Sequence, residues 1–163
     1  MFERKSQNDD RGPSAANLGL ARPPVIYLTA IVVGLVCHFV WPITFAPEWA
    51  TPFGVLIVGL AAILFIWSIK TFRSARTPVP GNRPTTAIVT VGPYRFSRNP
   101  IYLAFSAFQV GIAVGVHSAW LLVTLLPAIA LMSFVVIPRE ERYLHGRFGE
   151  EYARYKASVR RWL

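Results

Sequence analysis

The chain is 163 residues long, and 53% of its residues are apolar while only 15% are charged. Seventeen Lys and Arg residues oppose eight Asp and Glu residues, which gives a formal net charge of +9. This length suits one domain, so we expect a single unit over residues 1–163 without separate catalytic and regulatory modules. The high apolar content excludes a disordered chain and argues against a soluble domain. The single cysteine, Cys37, excludes an internal disulfide and a cluster of thiolate metal ligands.

Four apolar runs contain no Asp, Glu, Lys or Arg, and the basic residues lie between and beyond these runs. A nucleic-acid-binding protein of this charge would spread its basic residues over a polar surface, so no nucleic-acid partner is predicted. Each run approaches the length that crosses a bilayer as a helix, which satisfies its own backbone hydrogen bonds in lipid. The sequence therefore predicts an all-α integral membrane protein with four transmembrane helices, at about 25–41, 53–70, 100–116 and 119–137.

The distribution of positive charge orients these helices. The tail 1–24, the loop 71–99 with its border and the segment 139–163 hold all seventeen Lys and Arg residues. Four crossings place all these segments on one side, which the positive-inside rule makes the cytoplasm. We therefore expect a multi-pass protein of a bacterial inner membrane or an endoplasmic-reticulum-type membrane, with both termini cytoplasmic. The first apolar run lacks a small-residue cleavage site and is predicted to be a retained anchor.

The cytoplasmic loop 71–99 connects the second and third helices and contains two contrasting stretches. Residues 78–82 are typical of turns, and the largely β-branched stretch 86–91 is compatible with a short strand or an extended lid. Asn99 followed by Pro100 predicts a helix start, because Asn can cap a helix and Pro suits its first position.

Only residues 117–118 separate the third and fourth helices, so a tight antiparallel hairpin is predicted. The hairpin brings Arg98 and Asn99, at the start of one helix, close to Glu140 and Glu141 at the end of the other. A helix N-terminus beside an arginine favours an anion, whereas two carboxylates favour a cation or hydroxyl groups. This pattern predicts a site for a ligand of both charges, and a helix cap with headgroup-facing charges is the structural alternative.

Smaller features of the apolar helices indicate packing. Gly111 and Gly115 are spaced so that a neighbouring helix can approach closely. Pro127 should kink the fourth helix and free a carbonyl group. His38 and His117 form no ligand spacing, so we predict that no metal is bound.

An amphipathic helix is predicted in the cytoplasmic interface within 139–163, because apolar residues there recur every three or four positions. Its aromatic side would face the lipid or the helix bundle, and Gly149 would mark a bend. The apolar positions are Leu144, Phe148, Tyr152, Tyr155, Val159 and Trp162.

The second half of the chain resembles the integral-membrane methyltransferases, the family of isoprenylcysteine carboxyl methyltransferase and phospholipid N-methyltransferase. The likeness covers about residues 80–163. It includes Gly-Pro-Tyr at 92–94, Arg-Asn-Pro-Ile-Tyr at 98–102, Glu-Glu at 140–141 and Phe-Gly-Glu-Glu-Tyr at 148–152. The chain departs from the family pattern at Asn99, where the family has histidine, and at Ala104, where the family has glycine.

The resemblance implies S-adenosylmethionine as the methyl donor, S-adenosylhomocysteine as the product, and no metal. It places the donor at the cytoplasmic end of the hairpin, and it places Glu141 and Arg147 near the acceptor as catalytic residues. The donor-binding residues that the resemblance implies are Gly92, Tyr94, Arg98, Asn99, Pro100, Tyr102, Glu140 and Glu141.

The expected function is that of a methyltransferase embedded in the lipid bilayer, which transfers the methyl group to a lipophilic acceptor at the cytoplasmic face of the membrane. The acceptor is either the carboxylate of a prenylcysteine-like molecule or a lipid amine. Arg147 could orient a carboxylate, which needs no base, whereas an amine must lose a proton, for which Glu141 is the candidate. The alternative is a non-catalytic membrane scaffold or lipid-binding protein that retains the fold. A transporter is disfavoured because no charged residue lies near mid-membrane.

Overall fold

The computed structural model describes residues 22–77 and 85–163, and within these residues the regular structure is helical, without a β-strand. A π-helical segment, Met132–Val136, joins two of the α-helices, and short 3-10 turns occupy Glu48–Ala50 and Gly92–Arg95. The α-helices are α1 (Pro23–Val40), α2 (Thr51–Ser74), α3 (Pro100–Gly115), α4 (Ala119–Leu131), α5 (Ile137–Phe148) and α6 (Glu150–Ser158).

Three helical stretches of the described residues are long and apolar enough to cross a membrane: α1, Glu48–Ser74 and Ala119–Phe148. The protein is therefore a membrane protein. The predicted third helix is present as α3, but its 16 residues fall short of the usual length of a span, about 20 residues. Helical structure continues past the predicted end of the fourth span at 137, through α5 to Phe148, but the stretch 138–148 is charged and lies beyond its apolar run.

The helices pack in pairs, α2 along α3 and α1 along α4, and α3 also contacts α4. The α2–α3 contact is close where glycines of the two helices face each other. A Cβ atom at Gly54 would lie 2.6 Å from the Cα of Gly115 and 2.7 Å from the carbonyl oxygen of Gly111. The predicted close approach at Gly111 and Gly115 is confirmed, and its partner is the small residue Gly54 of α2.

α4 continues through Pro127, and the kink expected there stays a prediction. Within this helical stretch the departure from α-geometry is the π segment, Met132–Val136. This segment comes just before Pro138, which has no N–H group for the helical ladder. The N–H of Ile137 bonds to the carbonyl five residues back. The carbonyl of Ser133, which an α-helix would pair with that N–H, is therefore left available.

The predicted amphipathic helix is present but divided. α5 ends at Phe148, Gly149 has a φ of 51°, and α6 begins at Glu150. The bend at Gly149 is thus confirmed, because this positive φ suits glycine. The helix does not reach the end of the chain. Residues 159–163, which we call the C-terminal strap, follow α6 without helical structure. The aromatic residues Tyr152 and Tyr155 are buried against the bundle.

The described part of the loop, residues 85–99, crosses the same end of the bundle. Residues 86–91 form no strand, and Val89 packs with Phe72 and Tyr94. The turn that follows depends on Gly92, whose φ is 61° and where a Cβ atom would lie 2.9 Å from the hydroxyl of Thr71. The turn predicted at 78–82 and nearly all of the tail 1–24 lie outside the described residues.

Candidate active site

A cavity of about 230 Å³ lies at the end of the bundle where α3 begins, which we call the charged end. Its wall is largely apolar and includes side chains from α2 and α3, such as Phe65, Phe72 and Phe105. The first residues of α1, the loop residues 85 and 87–89, and side chains of α5 and α6 also line it. Seven of the sequence-predicted donor-site residues line this cavity: Tyr94, Arg98, Asn99, Pro100, Tyr102, Glu140 and Glu141.

Two predicted residues are not among those that line the cavity. Gly92 instead shapes the turn that carries Tyr94. Arg147 is exposed on α5, and its guanidinium carbon lies 5.9 Å from the ring centroid of Phe148. The structure therefore brings Glu141 to the cavity without Arg147.

Glu141 is surrounded by three cationic side chains. Arg161 donates from Nε to Oε1 at 3.0 Å and from Nη2 to Oε2 at 2.9 Å. Arg98 Nη1 lies 3.0 Å from Oε1, and Lys156 Nζ lies 3.5 Å from Oε2. The side chains of Arg98 and Glu141 are only 10% and 9% exposed. Water therefore screens this pair much less than it would screen a surface ion pair.

These contacts keep Glu141 ionised. Burial acts to raise the pKa of Glu141, but the hydrogen bonds from Arg161 and the charges of Arg98, Arg161 and Lys156 outweigh it, so the pKa is lowered. A carboxylate in this state is a poor proton acceptor. Its chemistry suits the holding of cationic side chains instead.

Glu140, the adjacent residue, is in a different environment. Both glutamates lie in the charged stretch 138–148, beyond the apolar run of their helix. Burial raises the pKa of Glu140 to about 7, the charge of Glu141 adds to this rise, and a hydrogen bond from Tyr102 opposes it. Tyr102 OH donates to Oε1 at 2.6 Å. Neighbouring carboxylates with separated pKa values can take different chemical roles.

The predicted helix start is confirmed, because α3 begins at Pro100 with Asn99 at its N-cap position, but the Asn99 side chain makes no capping hydrogen bond. Its Nδ2 donates instead to the carbonyl of Arg161 at 3.0 Å, and the N–H of Arg98 donates to the carbonyl of Arg160 at 2.9 Å. Ser97 Oγ also lies within hydrogen-bond distance, 3.4 Å, of the Arg161 carbonyl. The C-terminal strap thus lies against the start of α3.

Sequence reasoning missed several residues of this site, above all Arg161 and Lys156. The sequence contains no local signal that separates Arg161 from its neighbour Arg160, because their difference arises only when the strap folds back. Tyr155 belongs to the predicted aromatic face of the C-terminal helix, and it also makes a specific hydrogen bond. Its hydroxyl donates to the carbonyl of Tyr94 at 2.9 Å and so ties α6 to the loop.

The fold and the site together describe a class of protein, a helical membrane protein with a charged cavity at one end of its bundle. Comparison with known families identifies the family. The family model described as phospholipid methyltransferase matches residues 49–151, more than half of the chain. The chain therefore belongs to the phospholipid methyltransferase family of membrane methyltransferases.

Individual relatives extend this similarity. The chain is 30% identical over 131 residues to the nickel-cobalt-cadmium resistance protein NccN of Alcaligenes xylosoxydans xylosoxydans, covering 79% of this chain and 56% of the relative. It is 30% identical over 139 residues to the cobalt-zinc-cadmium resistance protein CzcN of Cupriavidus metallidurans, covering 84% and 60%. The chain thus spans somewhat more than half of the length of these two relatives.

A third relative, an uncharacterized protein of Haemophilus influenzae, is 48% identical over 50 residues, which are 31% of this chain and 76% of the relative. Across 22–77 and 85–163, no group of three or more His, Cys, Asp or Glu residues is arranged to hold a metal ion. The expectation that the protein uses no metal stays a prediction.

Proposed function

We propose that the protein transfers the methyl group of S-adenosylmethionine to a lipophilic acceptor at the cytoplasmic face of the membrane. The observation that carries this proposal is the cavity at the charged end. It combines a buried arginine, two carboxylates and an apolar wall, and most of its residues lie within the region that matches the family.

The residues of the cavity fit such a donor. Its methionine part carries a carboxylate, for which Arg98 is a suitable partner. The Nε of Arg98 and the hydroxyl of Thr85 are buried without a hydrogen-bond partner among the described residues, and both residues line the cavity. The rings of Tyr94 and Tyr152 also line it, and aromatic faces attract a positively charged group such as a sulfonium.

When bound, S-adenosylmethionine supplies an electrophilic methyl group on a sulfonium. The part of the protein is to hold the reactants in line and to exclude water, which supplies much of the acceleration in reactions of this kind. The apolar wall of Phe65, Phe72 and Phe105 suits the second task.

The acceptor is a lipophilic carboxylate or a lipid amine. A carboxylate needs no base, whereas an amine must give up a proton before it attacks. We assign that proton to Glu140 and not to Glu141, because the pKa of Glu140 is about 7 while ion pairs lower the pKa of Glu141. Arg147 as the residue that orients an acceptor carboxylate stays a prediction.

The alternative is a non-catalytic scaffold or lipid-binding protein that retains the fold. It predicts a folded protein that does not bind the donor and that tolerates substitution of Arg98. The proposal includes the cytoplasmic position of both termini, in a bacterial inner membrane or an endoplasmic-reticulum-type membrane.

Calorimetric binding of S-adenosylhomocysteine to the detergent-purified protein tests the proposal. Wild-type protein should bind, and Arg98→Ala should bind at least about tenfold more weakly, because a buried charged partner of the ligand is lost. Arg95→Ala is the matched control, since Arg95 is exposed and does not line the cavity. A wild-type protein that is folded but does not bind would favour the scaffold.

The acceptor class follows from the transfer of radiolabelled methyl groups. Two probes are offered in parallel, phosphatidylethanolamine vesicles and N-acetyl-S-farnesylcysteine. If the lipid of the vesicles becomes labelled, the acceptor is a lipid amine. If the farnesylcysteine becomes labelled, the acceptor is a prenylcysteine-like carboxylate. Donor binding without transfer to either probe would contradict both proposed acceptor classes.

A further inference from the structure

Arg161 contacts three residues that lie 20 or more positions away from it in sequence. Its guanidinium binds both carboxylate oxygens of Glu141 on α5. The same group donates from Nη1 to the carbonyl of Ser133 at 3.2 Å. Its own carbonyl accepts the hydrogen bond from Asn99 at the start of α3. One residue of the strap therefore links α3, the π segment and α5.

The contact with Ser133 depends on the π segment. Because Ile137 bonds to the carbonyl five residues back, the Ser133 carbonyl is available to a side chain. Trp162 adds a second contact at the same place, with Nε1 3.3 Å from the hydroxyl oxygen of Ser133. Two successive strap residues thus bind the one turn of the helix whose hydrogen bonding is irregular.

The guanidinium of Arg161 also fixes the orientation of the Glu141 carboxylate beside the cavity. A two-point contact from Nε and Nη2 fixes the plane of the carboxylate, as a single charge would not. In this orientation Oε1 accepts from Arg161 and lies 3.0 Å from Arg98. Arg98 lines the cavity, whereas Arg161 does not.

We infer that Arg161 is a positioning residue for the donor site and that it acts on Arg98 through the carboxylate of Glu141. The inference rests on the proposed function, because it gives the strap a part in donor binding. Without Arg161, Glu141 is free to turn and to take Arg98 as its two-point partner, which withdraws Arg98 from the ligand. The strap is then part of the site although it lies outside the cavity.

Asn99 fits the same arrangement. The family has histidine at this position, and in this chain the side-chain amide donates to the backbone of Arg161. The position therefore serves here to seat the strap, and no proton transfer is required of it.

The test measures the affinity for S-adenosylhomocysteine of the full chain in detergent, after the melting temperature of each variant has shown that it is folded. Arg161→Ala should bind about tenfold more weakly than wild type, the size of effect typical of a lost charged hydrogen-bonding partner. Arg160→Ala is the matched control, since this adjacent arginine is exposed and should bind as wild type does. Arg161→Lys keeps the charge but not the two-point contact and should recover only part of the loss.

A double substitution separates positioning from a general structural role. If Arg161 acts through Glu141, then adding Arg161→Ala to Glu141→Gln should weaken binding little further. Equal losses in both backgrounds, full recovery by Arg161→Lys, or wild-type affinity in Arg161→Ala would each overturn the inference and leave the proposed function standing. Absence of binding in folded wild-type protein would overturn the proposed function, and the inference with it.

Discussion

The two ends of the helix bundle hold their polar groups in opposite ways. At the far end, formed by the turns 41–50 and 116–118, the groups that bond across the turns are neutral, and much of the bonding is to backbone. The N–H of Phe45 donates to the carbonyl of His117 at 3.2 Å, and the N–H of Ala119 donates to that of Ile43 at 2.9 Å. The indole of Trp120 donates to the carbonyl of Trp41 at 2.7 Å.

The charged end is built from side chains that carry charge, and they leave a cavity between them. Three cations face the one carboxylate of Glu141, so positive charge remains in excess beside a buried space. Neutral pairing at the far end serves to close the bundle. Uncompensated charge around a cavity is suited to binding a ligand, and perturbed groups concentrate at such sites. The difference between the ends therefore supports the site proposed at the charged end.

The largest expected effect follows from Glu141→Gln. The substitution leaves Arg98, Arg161 and Lys156 without their shared anion, and we expect a loss of about 3 kcal/mol in the free energy of unfolding. Thermal unfolding in detergent measures it. Glu151→Gln is the control, because Glu151 is exposed on α6, and it should change stability by less than about 1 kcal/mol. Similar losses in the two variants would show that the cluster is not the stabilising feature of the charged end.

A smaller effect is expected from Gly54→Ala at the far end. The added methyl group meets the backbone of α3 at Gly115, which cannot move aside as a side chain can. We expect a loss of about 1–3 kcal/mol. Gly59→Ala, on the same helix, meets nothing within 4 Å and should not destabilise the protein. Melting temperatures that fall equally in both variants would contradict close packing of α2 on α3.

The smallest expected effect is a shift in pH dependence. Because the folded-state pKa of Glu140 is about 7, above its ordinary value of 4.5, folding favours the protonated form. The stability contributed by this group is complete below about pH 4.5 and is lost as the pH rises to about 7. In Tyr102→Phe the carboxylate loses a donor that lowers its pKa, so the decline should continue to higher pH.

The measurement is the melting temperature in detergent between pH 4 and pH 9, compared between wild type and Tyr102→Phe. Tyr143→Phe is the control, because the Tyr143 hydroxyl has no hydrogen-bond partner within 22–77 and 85–163. A profile for Tyr102→Phe that coincides with that of wild type would mean that Tyr102 does not influence Glu140.

Much of the fold and part of the site could be predicted from the chain alone. The uncharged runs predicted the helices, since their apolar side chains favour lipid and helices satisfy the backbone there. The short 117–118 connection predicted that Arg98 and Glu141 meet, and they lie 3.0 Å apart. The side-chain cap at Asn99 was wrong, because that side chain donates instead to Arg161, a partner distant in sequence.

The sequence by itself therefore determined the helices, the charged end and the family motifs, because hydropathy and spacing act over short distances. Only the tertiary structure decided that Glu140 and Glu141 have opposite pKa shifts, and that Arg161 rather than Arg160 holds the carboxylate. The physical reason is that burial and ion pairing depend on which segments come together. The strap reaches α3 across more than sixty residues of sequence, and no local pattern records that contact.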